Sequence, residues 1–236
     1  MNTLMSPPVS TLLARLFAAA DTADGAIKQE LFRRSPEERA AFMSRANTDY
    51  RGFYGQAEAL FLPVSPETGK LLYMLARATK ARSIVEFGTS FGLSTVHLAA
   101  ALRDNGGGRL IGSEFLASKV QGARANLAAA GLSDLVELRE GDALDTLSRD
   151  LPAAVDLLLL DGAKVLYPRI LALIEPRLAP GALVIADNAD DSPEFLARVR
   201  DPAKGYVSVP FASDVELAMR SGASSPMERT SSLTQA

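Results

Sequence analysis

Between Arg82 and Asp187 short apolar runs alternate with stretches of helical composition. The runs are Ile84-Val85, Arg109–Glu114, Leu135–Arg139, Val155–Asp161 and Ala182–Asp187. Each is short and β-branched or leucine-rich, and Val155–Asp161 is apolar almost throughout, as expected of strands buried on both faces. Helical segments follow from Leu93, from Ser118 to Ala130 with Gly131 as the closing residue, and from about Tyr167. Alternation at this spacing restricts the chain to an α/β fold, Rossmann-like and doubly wound, with a mostly parallel sheet.

The first of these units carries a glycine loop, Glu86-Phe-Gly-Thr-Ser-Phe-Gly92, between strand and helix. Glycines there let backbone approach a ligand, and the helix start offers free N–H groups. The glycines read G-x-x-x-G, with Ser90 where a dinucleotide fingerprint needs its second glycine. Glu86, two residues before Gly88, would repel a pyrophosphate but suits a ligand with a cationic end, such as S-adenosylmethionine.

Acids recur at the carboxyl ends of the strands. Glu86, Glu114, Asp161 and Asp187 each close one, and Asp142 lies just beyond the third. Ligands of open α/β sheets bind outside those ends. Strands four and five should be neighbours about 4.8 Å apart. Asp161 and Asp187 then share a crevice with Asn188. Two close, poorly hydrated carboxylates need a shared proton or a cation. Carboxylates plus an amide oxygen favour Mg²⁺ over zinc.

The stretch Val85–Thr95, the segment Leu160-Asp-Gly-Ala-Lys164 and Ile185-Ala-Asp-Asn188 together resemble the cation-dependent, catechol O-methyltransferase-like enzymes. The likeness runs from about Leu62 to Arg220. It implies a class I methyltransferase sheet of about seven strands, with S-adenosylmethionine and a divalent cation as cofactors. By this resemblance Asp161, Asp187 and Asn188 would hold the metal, and Lys164 would be the base, with Asp161 beside it. Glu114 would bind the ribose hydroxyls. Asp142 and Ala143 would lie by the adenine. Val64, Glu86, Gly88 and Ser94 would line the methionine end, and Thr89, Ser90, Phe115 and Asp161 would also bind the donor. The acceptor implied is a small aromatic hydroxyl compound, catechol-like or phenolic. Two departures stand out. A second acid that relatives often carry after the first metal aspartate is absent from Asp161-Gly-Ala-Lys164. A late carboxylate that grips the acceptor has no clear counterpart, Asp214 and Glu216 being in the wrong register.

Other classes remain as alternatives: a tRNA-modifying relative, a nicotinamide-dependent oxidoreductase, or a nucleoside-binding module without turnover. The chain of 236 residues has no cysteine and one histidine, which excludes disulfides, thiol catalysis and cysteine metal sites. His97 sits inside a helix and reads as structural. Net charge is −3 and no basic block stands out, which disfavours nucleic acid without excluding it. No apolar run reaches membrane length and no signal peptide is visible, so a cytoplasmic protein is expected, with a homodimer as one option.

Residues 1–64 read as amphipathic helical cover over a 65–220 core. One helix carries Leu12, Leu13, Leu16 and Phe17 on a face, a second runs from about Asp24 to Arg34, and a third starts at Ser35-Pro36. Ser65-Pro66 opens another, to about Thr79. Packing on the sheet is the expected role of this cover, ahead of a dimer contact or a lid over the acceptor. Pro176 should kink its helix. Pro180-Gly181 reads as a turn into the fifth strand. A helix over 192–200 follows, capped by Asp191 or Ser192. Tyr206–Phe211 and Val215–Met219 read as an edge hairpin, and 221–236 as a polar, disordered tail.

Overall fold

A computed structural model describes residues 2–212 and 214–221. The sequence begins with helices α1 (Val9–Arg33), α2 (Pro36–Thr48), α3 (Tyr50–Gly55) and α4 (Pro66–Ala78). The alternating part follows as β1 (Ser83–Phe87), α5 (Leu93–Asp104), β2 (Arg109–Glu114), α6 (Ala117–Ala130), β3 (Val136–Glu140), α7 (Ala143–Thr146), β4 (Val155–Leu160), α8 (Tyr167–Ile174) and β5 (Leu178–Ala186). It closes with α9 (Pro193–Val199), β6 (Tyr206–Phe211) and β7 (Val215–Arg220).

The seven strands form one sheet in the order β3-β2-β1-β4-β5-β7-β6. Strands β1 to β5 pair in parallel. β7 is antiparallel to β5, and β6 completes the edge antiparallel to β7. The strand order reverses between β1 and β4, and the crevice outside their carboxyl ends is where such sheets bind ligands. Two apolar layers cover the sheet. One joins α1, α4 and α5 to Ile84, Leu110, Leu157 and Ile185; the other joins α8 and α9 to Val85, Ile111, Leu158 and Val184. Alternate residues of each strand thus enter opposite layers, which is why β1, β4 and β5 read as continuous apolar runs.

Several expectations need correction. The first two expected helices are one, α1, running through Gly25. Asp24 was read as a helix start, but its carboxylate accepts hydrogen bonds from the backbone of Phe61 and Leu62, 2.8 Å each, instead of capping its own helix. Pro176 does not kink a helix; it stands in the short 3₁₀ turn Glu175–Arg177 that ends α8, where a missing N–H is cheap. Pro180 and Gly181 lie inside β5, at the place where its register with β4 shifts. An irregular ladder tolerates the absent donor there. The cap expected at Ser35 forms reciprocally: Glu38 N donates to Ser35 Oγ at 3.2 Å and Ser35 N to Glu38 Oε2 at 2.9 Å. α9 follows Ser192, whose side chain makes no capping bond. The tail expectation falls, from residue 222 onward, outside the described residues. No helix among the described residues is long and apolar enough to cross a membrane.

Candidate active site

The strand ends are laced together by backbone. Gly88 N donates to Ser113 O at 3.1 Å, Asp161 N to Phe87 O at 2.8 Å and Asp187 N to Leu160 O at 2.9 Å. The tips of β2, β1, β4 and β5 are therefore one rigid rim. Gly88 has φ +96, and a Cβ there would stand 2.4 Å from Asp161 O, so no other residue fits between the tips of β1 and β4.

A crevice of about 730 Å³, part of it open to solvent, lies over this rim. Gly88, Ser90, Glu114, Phe115, Asp142, Ala143 and Asp161 all line it. A smaller adjoining pocket is lined by Val64, Gly88, Thr89, Ser90 and Ser94. Glu86 reaches neither. It is 0% exposed, and its carboxylate accepts hydrogen bonds from Ser94 Oγ (2.7 Å), Thr95 Oγ1 (2.6 Å) and Thr89 Oγ1 (3.0 Å). Burial raises its pKa although the three hydroxyls act to lower it. Glu86 thus holds the glycine loop to α5 from beneath, a correction to its expected place along the ligand.

Glu114 accepts from Ser90 N at 2.7 Å on one oxygen and from Leu116 N at 2.9 Å on the other. The carboxylate is oriented by backbone and keeps lone pairs for a ligand. Asp142 caps α7 by accepting from Leu144 N at 2.9 Å. It also accepts from Tyr50 Oη at 2.7 Å and pairs with Arg51. Burial would raise its pKa, but these partners win and lower it.

Asp161 and Asp187 follow the paired ends Leu160 and Ala186 of β4 and β5. Burial first, then the charge of Asp187, pushes the Asp161 carboxyl well above the usual carboxylate range, against the opposing pull of Lys164. Burial raises Asp187 as well. Lys164 Nζ is 3.3 Å from Asp161 Oδ1, and both side chains are nearly buried. Tyr167, fully buried, donates from Oη to Asp187 O at 2.7 Å and so fixes the tip of β5. Asn188 has φ +48, and its Nδ2 faces Asp214 Oδ2 at 3.4 Å. That geometry leaves its Oδ1 as an acceptor. Among the described residues no group of three or more Asp, Glu, His or Cys is disposed to hold a metal ion. A cation here would need the two aspartates with Asn188 as the third protein ligand, an all-oxygen set of the kind that hard divalent ions prefer. Lys164, Asp187 and Asn188 stand beside the crevice rather than in its wall.

Among the wall residues that no motif marked as part of a site are Tyr50 and Tyr54 on α3, Leu62 in the connector, and Lys119 on α6. The N-terminal segment was expected to pack on the sheet, but it also builds the crevice. Burial, then Asp161 and Asp191, raises the Tyr54 pKa to about 12. Leu62 and Ser90 both have positive φ. Ser90 Oγ donates to Phe61 O at 2.7 Å, and the Phe61 and Phe91 rings stack with centroids 4.3 Å apart. His97 is buried, with Nδ1 2.8 Å from Leu93 O and its ring against Phe17, and it takes no part in the crevice.

The chain from residue 85 to 189 matches the methyltransferase domain family. This segment is a methyltransferase domain. A catechol O-methyltransferase of Niastella koreensis is 35% identical over 130 residues, 54% of this chain and 58% of that protein. The crystal structure of the O-methyltransferase TomG from Streptomyces achromogenes, in complex with SAM, is 29% identical with a TM-score of 0.59, covering 77% of this chain and 90% of that one. A methyltransferase from Geobacter sulfurreducens is 26% identical with a TM-score of 0.58, covering 85% and 96%. The chain spans less than two thirds of the length of the curated relatives it matches. The seven-stranded sheet agrees with the doubly wound α/β class expected from the residues and with the methyltransferase class that the resemblance implied, and the nicotinamide alternative is set aside.

Proposed function

We propose that the chain is an S-adenosylmethionine-dependent O-methyltransferase that needs a divalent cation and methylates a hydroxyl of a small aromatic acceptor. The observation that carries this reading is the pair Asp161 and Asp187 on adjacent strand tips, with Lys164 against one of them, beside a crevice lined by Glu114 and Asp142. TomG, with SAM bound, and the N. koreensis enzyme, named for catechol, point the same way.

The chemistry follows from the groups present. A phenol has a pKa near 10, so ionising it at pH 7 costs about 4 kcal/mol. Asp161, Asp187 and Asn188 would hold a divalent cation, which would supply Lewis acidity that offsets much of this cost. Lys164, 3.3 Å from Asp161, stands where it can take the hydroxyl proton. Glu114 and the Gly88–Ser90 turn hold the nucleoside so that the methyl faces the acceptor oxygen. The O–CH₃ bond forms as the S–CH₃ bond breaks, and the donor leaves as S-adenosylhomocysteine. Tyr50, Tyr54, Phe87 and Leu166 give the crevice an apolar wall suited to a flat ring and to the exclusion of water, which favours a reaction that consumes opposite charges.

The test is transfer of labelled methyl from S-adenosylmethionine to catechol, with Mg²⁺ and with EDTA. Transfer to oxygen should occur with Mg²⁺, fall at least about 100-fold in EDTA, and be lost in Asp161→Asn while S-adenosylhomocysteine still binds. Equal rates in EDTA would remove the cation from the reading. Absence of O-methylation across catechols and simple phenols would remove the acceptor class.

A further inference from the structure

We propose that Lys119 is a ribose-binding residue of the donor site, donating from Nζ to the oxygen of a hydroxyl whose proton goes to Glu114. The inference rests on the donor-site reading above and adds to it a residue that the strand-end pattern did not contain.

Lys119 lies just inside α6 and lines the same crevice as Glu114 and Phe115. It is only 5% exposed. Its Nζ stands 5.7 Å from the centroid of Phe91 and makes no hydrogen bond or ion pair with any described residue. Carboxylates act on it at longer range, Glu114 most strongly, then Asp24, Asp161 and Glu58. Burial lowers its pKa, the expected response of an ammonium taken from water without a direct partner. Other cations next to buried acids in this chain make contact: Lys164 with Asp161 at 3.3 Å, Arg200 with Glu216 at 2.7 Å. A lysine that served only to balance charge would be expected to do the same.

The unmade bonds fit one ligand chemistry. Glu114 is acceptor-only with both oxygens already oriented by Ser90 N and Leu116 N. Lys119 is donor-only. A hydroxyl donates once and accepts as well, so a ribose diol satisfies both side chains together. A sulfonium would be repelled by Lys119. The adjoining pocket of Val64, Thr89 and Ser94, where the methionine end is placed, does not include it.

The experiment is calorimetric titration of the whole protein, wild type against Lys119→Met and Lys119→Gln. The ligands are S-adenosylhomocysteine, its 2′-deoxy and 3′-deoxy analogues, and 5′-methylthioadenosine, which lacks the amino acid. Lys119→Met should weaken S-adenosylhomocysteine and methylthioadenosine alike by roughly tenfold or more, as expected for a hydrogen bond to a charged group. Lys119→Gln should lose less. One of the deoxy analogues should bind wild type and Lys119→Met equally. The inference is overturned if Lys119→Met binds as wild type does, if it loses the same factor on every ligand, or if its loss disappears with methylthioadenosine. Failure of both variants to fold would make Lys119 a core residue and overturn it too. A wild-type protein that binds no S-adenosylhomocysteine would instead sink the donor site itself.

Discussion

His97 packs so tightly that a Cβ on Gly69 would lie 2.7 Å from its ring. Burial lowers its pKa below the ordinary histidine value. The unfolded chain therefore binds a proton that the folded one refuses. Stability supplied by the neutral ring is complete above the unfolded pKa near 6.5 and falls as pH drops below it, by up to about 1.4 kcal/mol per pH unit until the folded pKa is reached. Denaturant melts at pH 7 and pH 5 should show this loss in wild type and a smaller one in His97→Gln, measured as the difference between their slopes. Identical slopes would mean that His97 charges without penalty. At the same scale, Leu62, Ser90 and Asn188 are non-glycine residues with positive φ, and all three stand at the crevice or beside the aspartate pair. Such conformations persist where surrounding contacts over-determine them, and here Asp24, Glu114 and Asp214 supply those contacts.

At the scale of elements, α3 is one and a half turns of helix held to the far side of the crevice by Tyr50 and Arg51 on Asp142. Arg51 is well exposed, so its ion pair alone contributes little. The two together hold a short helix over the ligand space. Tyr50→Phe with Arg51→Ala should raise hydrogen exchange over 50–55 and speed S-adenosylhomocysteine release about three- to tenfold, with a change in global stability below about 1 kcal/mol. An unchanged release rate would show that α3 does not gate the site. The strands, the parallel order and the acids at their tips were legible because a two-sided buried strand leaves an unbroken apolar run, and the next residue is forced to the rim. The role of α3 was not legible. Its six residues show no period, and its partner Asp142 lies about ninety residues away in the chain. The fusion of two expected helices into α1 was hidden for a related reason: Asp24-Gly25 has the look of a helix start, and only the tertiary fold shows which backbone N–H groups the carboxylate serves. Lys119 escaped because nothing in the spacing of α6 separates an inward lysine from a solvated one.

For the whole molecule, the crevice draws its walls from both halves of the chain: α3 and the connector before the sheet, and the tips of β1, β2 and β4 within it. A ligand that fills it binds only the folded state and should stabilise everything at once. At about 100 times its dissociation constant, S-adenosylhomocysteine should add roughly 2.7 kcal/mol, a rise in Tm of roughly 5–10 °C for a chain of this size, read by differential scanning calorimetry. A second, unshifted transition would mean that the helical cover melts apart from the sheet.

The carboxylate of Asp24 has a consequence for how the protein can be shortened. It grips the backbone of Phe61 and Leu62, and Phe61 in turn receives Ser90 of the glycine loop. A helix far upstream thereby reaches the glycine loop through two relays. Trimming the chain past that aspartate would strip both this hold and the apolar face that α1 lays on the sheet, so shortening from that end costs the core as well as the loop.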